Sequence, residues 1–154
     1  MSRRLMKTYI FNTQLLHDKL IQREIEVPED FSLYKLAEVI VNAYDFDFDH
    51  AFGFFSNISE SRYFDSDRKY ELFADMEDQG IEPTGAESVE KTKISKVWKN
   101  IGDKMLFLFD YGDNWLFVVK LISFGTKEDK AIYPRILKKN GKAPEQYPDP
   151  DEEE

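Results

Sequence analysis

The chain of 154 residues contains no cysteine, which excludes disulfide bonds, thiolate metal sites and cysteine nucleophiles. A protein without cysteine fits a reducing cytoplasm, and this is the compartment that we predict. The sequence also has no His-Glu-x-x-His, phosphate-binding loop or Gly-x-Ser-x-Gly motif, and no serine is evidently paired with a histidine. We therefore predict neither a serine hydrolase nor a protein that carries a cofactor.

Long apolar runs are missing as well, since none approaches the roughly 20 residues that span a bilayer. The N-terminal segment Met1–Lys7 contains three basic residues, but the apolar stretch that a signal peptide requires does not follow it. These absences predict a protein that has no membrane partner.

The residues that the chain has in excess are aromatic and acidic. Aromatic residues make up 15% of the sequence, a share typical of a folded protein. The net charge is −9, but five acids lie in the last six residues, so that the rest of the chain is only mildly acidic. We predict a single α+β domain over residues 8–148, followed by a disordered acidic tail over residues 149–154.

The negative charge argues against nucleic acid as the main partner, because proteins that bind it usually carry a basic face. Such binding would need a local basic stripe, for which the candidates are Arg135, Lys138, Lys139 and Lys142. Another protein is the partner that we expect instead, and the sequence leaves the oligomeric state open.

Apolar periodicity predicts the secondary structure. The clearest helix spans residues 33–44, where one continuous apolar stripe follows Asp30 and Ser32, either of which can cap the first turn. A shorter helix is predicted over residues 94–100, with Gly102 as its C-cap. The predicted strands span residues 8–16, 20–27, 50–56, 70–73, 105–109 and 115–124, and the longest surface loop spans residues 75–92.

These elements predict an α+β fold with an antiparallel or mixed sheet. One long helix packs on the sheet, and a short second helix and a C-terminal hairpin complete it. The hairpin strands, at residues 105–109 and 115–124, are apolar on both faces, so they should be central and covered on each side. The opening order ββαβ is similar to that of the β-grasp fold, a likeness that carries no function.

The hairpin turn from Asp110 to Trp115 has two interpretations. In the structural one, which we favour, Asp110 and Asp113 bond the amides of the turn, and Gly112 takes a positive φ. In the functional one, the two carboxylates bind a metal or act as acid and base. Trp115 is expected to pack in or beside the core rather than to serve as a stacking platform.

His50 stands beside Asp47 and Asp49 in the sequence. A hard metal ion could use such a cluster of ligands. A turn between the helix and the third strand accounts for the same pattern, and this is the interpretation that we favour.

Several blocks occur in the same order as in a known family, the plasmid Ri-type open-reading-frame-three-like proteins, which are also found as insertion-element passengers. The blocks that resemble the family are Leu20–Pro28, Leu33–Tyr44, Phe48–Phe52 and Phe109–Trp115, with a weaker fifth match at Tyr133–Arg135 and Ala143–Tyr147. The fourth is similar to the family's Tyr-Asp-Phe-Gly-Asp-x-Trp signature. The resemblance implies a family without a settled biochemical function.

The chain departs from the family pattern at two places. Many members follow the tryptophan with Glu-His, where this chain has Leu116 and Phe117. Many also have a cysteine in the late proline-rich block and a further C-terminal helix, whereas this chain has no cysteine and ends in acids. A role that needed that histidine is therefore not expected here.

Three functional hypotheses remain open. The first is a non-enzymatic interaction module that presents a groove beside the Asp110–Trp115 turn to another protein. Its candidate binding residues are Tyr111, Trp115 and Arg135. The alternative is a metal-dependent hydrolase or nuclease-like enzyme, whose candidate catalytic residues are Asp110, Asp113 and His50. The third is nucleic-acid binding linked to mobile elements.

Overall fold

The computed structural model describes residues 5–148, so the predicted acidic tail lies outside the described residues. The strands are β1 (Lys7–Leu15), β2 (Gln22–Pro28), β3 (Phe52–Phe55), β4 (Lys69–Glu71), β5 (Lys104–Phe109), β6 (Trp115–Thr126) and β7 (Arg135–Asn140). The α-helices are α1 (Leu33–Ala43) and α2 (Ile94–Val97), and 3₁₀ helices lie at Tyr63–Asp65 and Leu72–Gln79.

All seven strands form one sheet in the order β4-β3-β5-β6-β1-β2-β7, in which every neighbouring pair is antiparallel. The predicted α+β class with an antiparallel sheet is confirmed. The likeness to the β-grasp opening rests on element order alone and stays a prediction. β6 is the longest strand and pairs with both β5 and β1, which places the predicted hairpin in the middle of the sheet.

Both faces of the central hairpin are covered, as its apolar pattern predicts. Phe107 and Phe109 belong to the large core under α1, whereas Leu106 and Leu108 belong to a second apolar cluster. Successive residues of a strand point to opposite faces, so the two clusters lie on opposite sides of the sheet. Ile58 and Tyr63, from the segment after β3, pack against the second cluster.

Helix α1 begins where the sequence predicts. The Ser32 hydroxyl accepts a hydrogen bond from the backbone N–H of Lys35 (3.2 Å), so that Ser32 and not Asp30 is the N-cap. The apolar stripe faces the sheet and is buried: Leu33, Leu36, Ala37, Ile40, Val41 and Tyr44. Tyr44 ends the helix, and its hydroxyl bonds to the backbone carbonyl and the side chain of Thr13 on β1.

The prediction of Gly102 as a helix C-cap is wrong, because α2 ends at Val97 and Trp98 follows in an extended conformation. Trp98 is fully buried against Phe11, and its indole N–H donates to the carbonyl of Val119 (3.2 Å). Packing of this large ring ends the helix one turn early. Gly102 does have a positive φ, but in the turn that leads into β5.

Two other segments differ from the prediction. The expected loop over residues 75–92 begins inside a 3₁₀ helix, and the carboxylate of Asp75 accepts hydrogen bonds from the Ser88 hydroxyl and the Val89 N–H. β7 was not predicted, because Arg135–Asn140 lacks regular apolar alternation. It pairs with β2 at the edge of the sheet, and most of its side chains are exposed.

Arg23, on β2, is buried and joins three elements. Its Nε donates to the carbonyl of Ala43, in the last turn of α1 (3.0 Å). Its Nη1 donates to the carbonyls of Gln22 (2.7 Å), Asn140 and Gly141 (3.0 Å each), the last two at the end of β7. The last carbonyls of a helix have no partners within it, so one guanidinium satisfies acceptors that burial would otherwise leave unpaired.

We expect Arg23→Met to lower the free energy of unfolding by about 2 kcal/mol, because the replacement leaves the buried carbonyl of Ala43 and three partly buried carbonyls without this donor. Urea unfolding of the parent and the variant measures this loss. Arg62→Met is the matched control, since Arg62 is exposed and its guanidinium makes, within residues 5–148, only a 3.5 Å contact with Asp65. Equal effects of the two substitutions would contradict the role assigned to Arg23.

Candidate functional site

The hairpin turn is organised by Asp110, whose own φ is +70°. Its carboxylate Oδ1 accepts the backbone N–H groups of Gly112 (3.0 Å) and Asp113 (3.3 Å), and its carbonyl accepts the N–H of Asn114 (2.6 Å). This is the structural role that the sequence predicts for Asp110. The same prediction for Asp113 is wrong, because Asp113 contributes its backbone N–H and its carboxylate accepts no hydrogen bond within residues 5–148.

The prediction of a positive φ at Gly112 is wrong. The left-handed residues of the turn are Asp110 and Asn114, which has a φ of +54°. Asx side chains bond nearby backbone groups and tolerate this conformation, so the chain reverses without using glycine for it.

The second carboxylate oxygen of Asp110 lies 3.4 Å from His50 Nε2, which joins two candidate residues that are 60 positions apart in the sequence. Asp110 is almost fully buried, whereas the His50 side chain is 38% exposed. The same Nε2 lies 3.5 Å from Asp49 and 2.6 Å from the hydroxyl of Tyr147. We call Asp49, His50, Asp110 and Tyr147 the His50 cluster.

The hydrogen bonds assign the protons of this cluster. The Tyr147 hydroxyl donates to Asp49 Oδ2 (2.9 Å), so it accepts from His50 Nε2, which then carries a proton. In the neutral imidazole, Nδ1 is left with a lone pair. All the polar contacts of His50 within residues 5–148 are made at Nε2, which leaves Nδ1 as the atom that can meet a ligand.

Tyr147 reaches the cluster because its neighbour Gln146 anchors the chain there. Gln146 is buried, and its side-chain amide bonds both backbone groups of Asp47: Oε1 accepts the N–H (2.7 Å) and Nε2 donates to the carbonyl (3.1 Å). Nε2 also approaches Asp49 Oδ1 (3.3 Å). Prediction of the site from sequence missed both residues.

The phenol of Tyr147 is held in its protonated form. Desolvation is the largest cause, and the hydrogen bond to Asp49 and the charges of Asp49, Asp110 and Asp113 add to it, so that the pKa of Tyr147 rises to about 12. The hydroxyl therefore remains a hydrogen-bond donor above pH 10, where an ordinary tyrosine loses its proton.

A cavity of about 350 Å³ opens beside the cluster, and we call it the His50 pocket. Its lining includes three partly exposed aromatic residues, Tyr34, Phe48 and Phe73, the fully buried Phe52, and Met76, Asp49 and His50. The ring centroids of Tyr34 and Phe48 are 5.4 Å apart and their planes are nearly perpendicular. The pocket thus combines aromatic faces with a carboxylate and an imidazole.

The remaining candidate residues lie elsewhere. Trp115 packs its ring on Phe46 (4.8 Å between centroids) and lines a separate groove of about 290 Å³, together with Asp113 and Pro144. Its indole N–H is buried and has no hydrogen-bond partner among the residues that the structure describes.

Tyr111 belongs to the other face of the sheet, where it packs against the second apolar cluster. Its hydroxyl donates to Glu71 (2.5 Å), and burial, with this bond, raises the pKa of Tyr111 well above its usual value. Arg135 is at the β7 edge, where Nε and Nη2 both lie 2.8 Å from the carboxylate of Glu26. Neither side chain contributes to the His50 cluster.

Between residues 5 and 148, no group of three or more His, Asp and Glu side chains has the arrangement of a metal site. No helix of that part of the chain has the length and apolar character needed to cross a membrane.

Comparison with protein families identifies the chain. The family model described as plasmid pRiA4b ORF-3-like protein matches residues 7–147. The chain belongs to the plasmid pRiA4b ORF-3-like family. This confirms the family that the sequence blocks resemble.

A solved structure has the same fold. It is the crystal structure of a protein of unknown function from Methanosarcina mazei Go1, with a TM-score of 0.71 and 21% sequence identity. The match covers 91% of this chain and 72% of that one, and at this identity it speaks for the fold alone. The search of curated proteins found no match.

The fold brings together three of the blocks through which the sequence resembles the pRiA4b ORF-3-like family. Phe48–Phe52 carries His50, Phe109–Trp115 carries Asp110, and Ala143–Tyr147 carries Gln146 and Tyr147. The contacts among these side chains place the three blocks at one end of the hairpin. The weak fifth match was therefore the available signal for the residues that sequence reasoning missed.

We expect Asn114→Val to lower the free energy of unfolding by about 1–3 kcal/mol, because a β-branched residue is strained at positive φ. Asn114→Gly should change it by only a few tenths of a kcal/mol, since glycine takes this conformation freely. Urea melts of both variants test this, with Asp113→Val, at an exposed neighbour of ordinary φ, as the control. A loss with Gly as large as that with Val would contradict the left-handed assignment.

The raised pKa of Tyr147 predicts a pH dependence of stability. Below pH 10 the phenol is protonated in both the folded and the unfolded chain, so its contribution is fully present. Between pH 10 and about 12 only the folded chain holds the proton, and the contribution falls as pH rises. Urea melts from pH 8 to 12 should show a steeper decline for the parent than for Tyr147→Phe. Identical slopes would contradict the assignment.

Proposed function

We propose that this chain is a non-enzymatic interaction module that binds a basic segment of another protein at the His50 pocket. The observation that carries the proposal is the composition of the pocket wall, which joins several aromatic faces to the carboxylate of Asp49. Aromatic faces attract cations, and aromatic cages are a known way to recognise cationic groups. An arginine or lysine side chain is the protein group that such a pocket suits best.

The surroundings of the pocket support a cationic ligand. Asp47 and Asp113 are exposed near the His50 cluster, and neither forms an ion pair with a cation of residues 5–148. The net charge of the whole chain is −9. The negative electrostatic potential of the nearby acids and of the whole chain would therefore steer a basic segment to this end of the sheet.

His50 adds a directional contact. Its Nε2 is occupied by Tyr147 and the neighbouring acids, so in the neutral imidazole Nδ1 has the lone pair that can accept a hydrogen bond from a ligand. A guanidinium that enters the pocket can stack on an aromatic ring and donate to Nδ1. A charged rim and one fixed acceptor give specificity for a basic side chain over an apolar one.

The second candidate is the metal-dependent hydrolase or nuclease-like enzyme. The observation that favours it is the contact between His50 and the buried carboxylate of Asp110. Within residues 5–148 the Asp113 side chain forms no hydrogen bond or ion pair with His50 or Asp110, although its charge acts on Tyr147. The enzyme would thus rest on Asp110, Asp49 and His50 alone.

We expect triarginine peptide to bind the His50 pocket, with the largest amide shifts in an NMR titration at residues 48–52 and 72–76. Met76→Lys should weaken binding by about tenfold or more, because it places a cation inside the pocket. Gln79→Lys is the matched control, since it makes the same charge change at an exposed position of the same 3₁₀ helix. It should bind triarginine nearly as the parent does.

Equal weakening in both variants would mean that triarginine binds by diffuse attraction to acids, and the proposal would be given up.

Thermal melts with Mn²⁺ or Mg²⁺ address the second candidate. Stabilisation of the parent by metal, lost in Asp110→Asn, would favour the enzyme over the interaction module.

A further inference from the structure

β7 is the edge strand with the longer free side. It pairs with β2 only, and its outer backbone groups have no strand partner within residues 5–148. At the other end of the sheet, β4 has three residues and is partly covered by a bridge from Tyr70 to Glu87. An unpaired edge is a template for an added strand.

A groove runs between this edge and α1. Its volume is about 510 Å³, larger than that of the His50 pocket, and the two share no lining residue. The apolar part of its wall is formed by Phe31, Val39, Ala43, Pro134 and Ile136. Ile136 is 41% exposed, so the strand offers apolar surface as well as backbone groups.

The charge of this edge is opposite to that of the protein. Lys138, Lys139 and Lys142 are exposed, as is Lys35 on α1, and none has a carboxylate within 4.0 Å among residues 5–148. Glu24 lies opposite Lys138 in the β2–β7 register, and Glu38 is at the groove, so the excess of positive charge is modest. Arg135 does not add to it, because Glu26 holds its guanidinium.

From these features we propose that β7 and the adjoining groove bind an extended acidic segment of a protein partner. The segment adds to β7 as an outer strand, its acids meet the lysines, and an apolar side chain enters the groove. Lysines on an edge strand disfavour pairing with a second copy of the same strand, which points to an acidic occupant. Backbone groups free to pair favour a peptide over a nucleic acid.

The probe is the synthetic peptide acetyl-Glu-Val-Glu-Val-Glu-Val-amide, added to the full chain. NMR titration should shift the amides of residues 135–140 and of the groove. The same peptide with lysine in place of glutamate should not bind there. Lys138→Glu with Lys139→Glu should weaken the acidic peptide at least about tenfold.

The matched control is Lys96→Glu with Lys99→Glu, which makes the same charge change at exposed lysines around the end of α2. This variant should bind as the parent does, and loss of binding in both double variants would overturn the proposal. The proposal would also be overturned if oligothymidylate bound the same residues more strongly than the acidic peptide does, because that result would identify a nucleic-acid site. Dimerisation through β7, or displacement of residues 149–154 by the peptide, would identify a second copy or the chain's own acidic end as the occupant.

Discussion

The guanidinium of Arg23 is the contact on which the arrangement of helix and edge strand depends. It is buried, no carboxylate among residues 5–148 pairs with it, and backbone carbonyls of α1, β2 and the end of β7 accept its hydrogen bonds. It also lies over the ring of Tyr44, with 4.9 Å between Cζ and the ring centroid. A buried cation needs several acceptors at once, so these elements are held in one relative position.

The hairpin turn and the C-terminal segment depend on each other in a similar way. Asp110 uses one carboxylate oxygen to order its own turn and leaves the other for His50. Gln146 then ties the last described segment to Asp47, and Tyr147 completes the contacts of the imidazole. The proposed binding pocket is therefore built on the structural turn and not apart from it. The edge groove, in contrast, owes its position to Arg23 and to the pairing of β7 with β2.

Much of the fold is readable from local patterns. The apolar stripe from Leu33 to Tyr44 predicts α1, and the apolar hairpin strands predict the centre of the sheet. Both predictions work because the spacing of apolar residues indicates whether one face or both faces of an element are buried. Three predictions failed, two because a distant contact overrides local preference and one because Asx residues of the turn itself take the left-handed conformation. Trp98 is drawn into the core and shortens α2, Asp110 and Asn114 take the positive φ expected of Gly112, and β7 forms only because β2 offers it an edge.

By itself, the sequence determined the family, the α+β class, the main helix and the importance of the turn, since each depends on residues that are close together or on blocks in a recognisable order. Only the tertiary structure decided which candidates meet. In the fold, His50 contacts Asp110, and Gln146 and Tyr147 lie beside them. Tyr111 lies on the other face of the sheet, and Arg135 lies on the edge strand β7. The physical reason is that side chains separated by about 60 to 100 positions come together through sheet pairing and the path of the C-terminal segment, neither of which local spacing encodes.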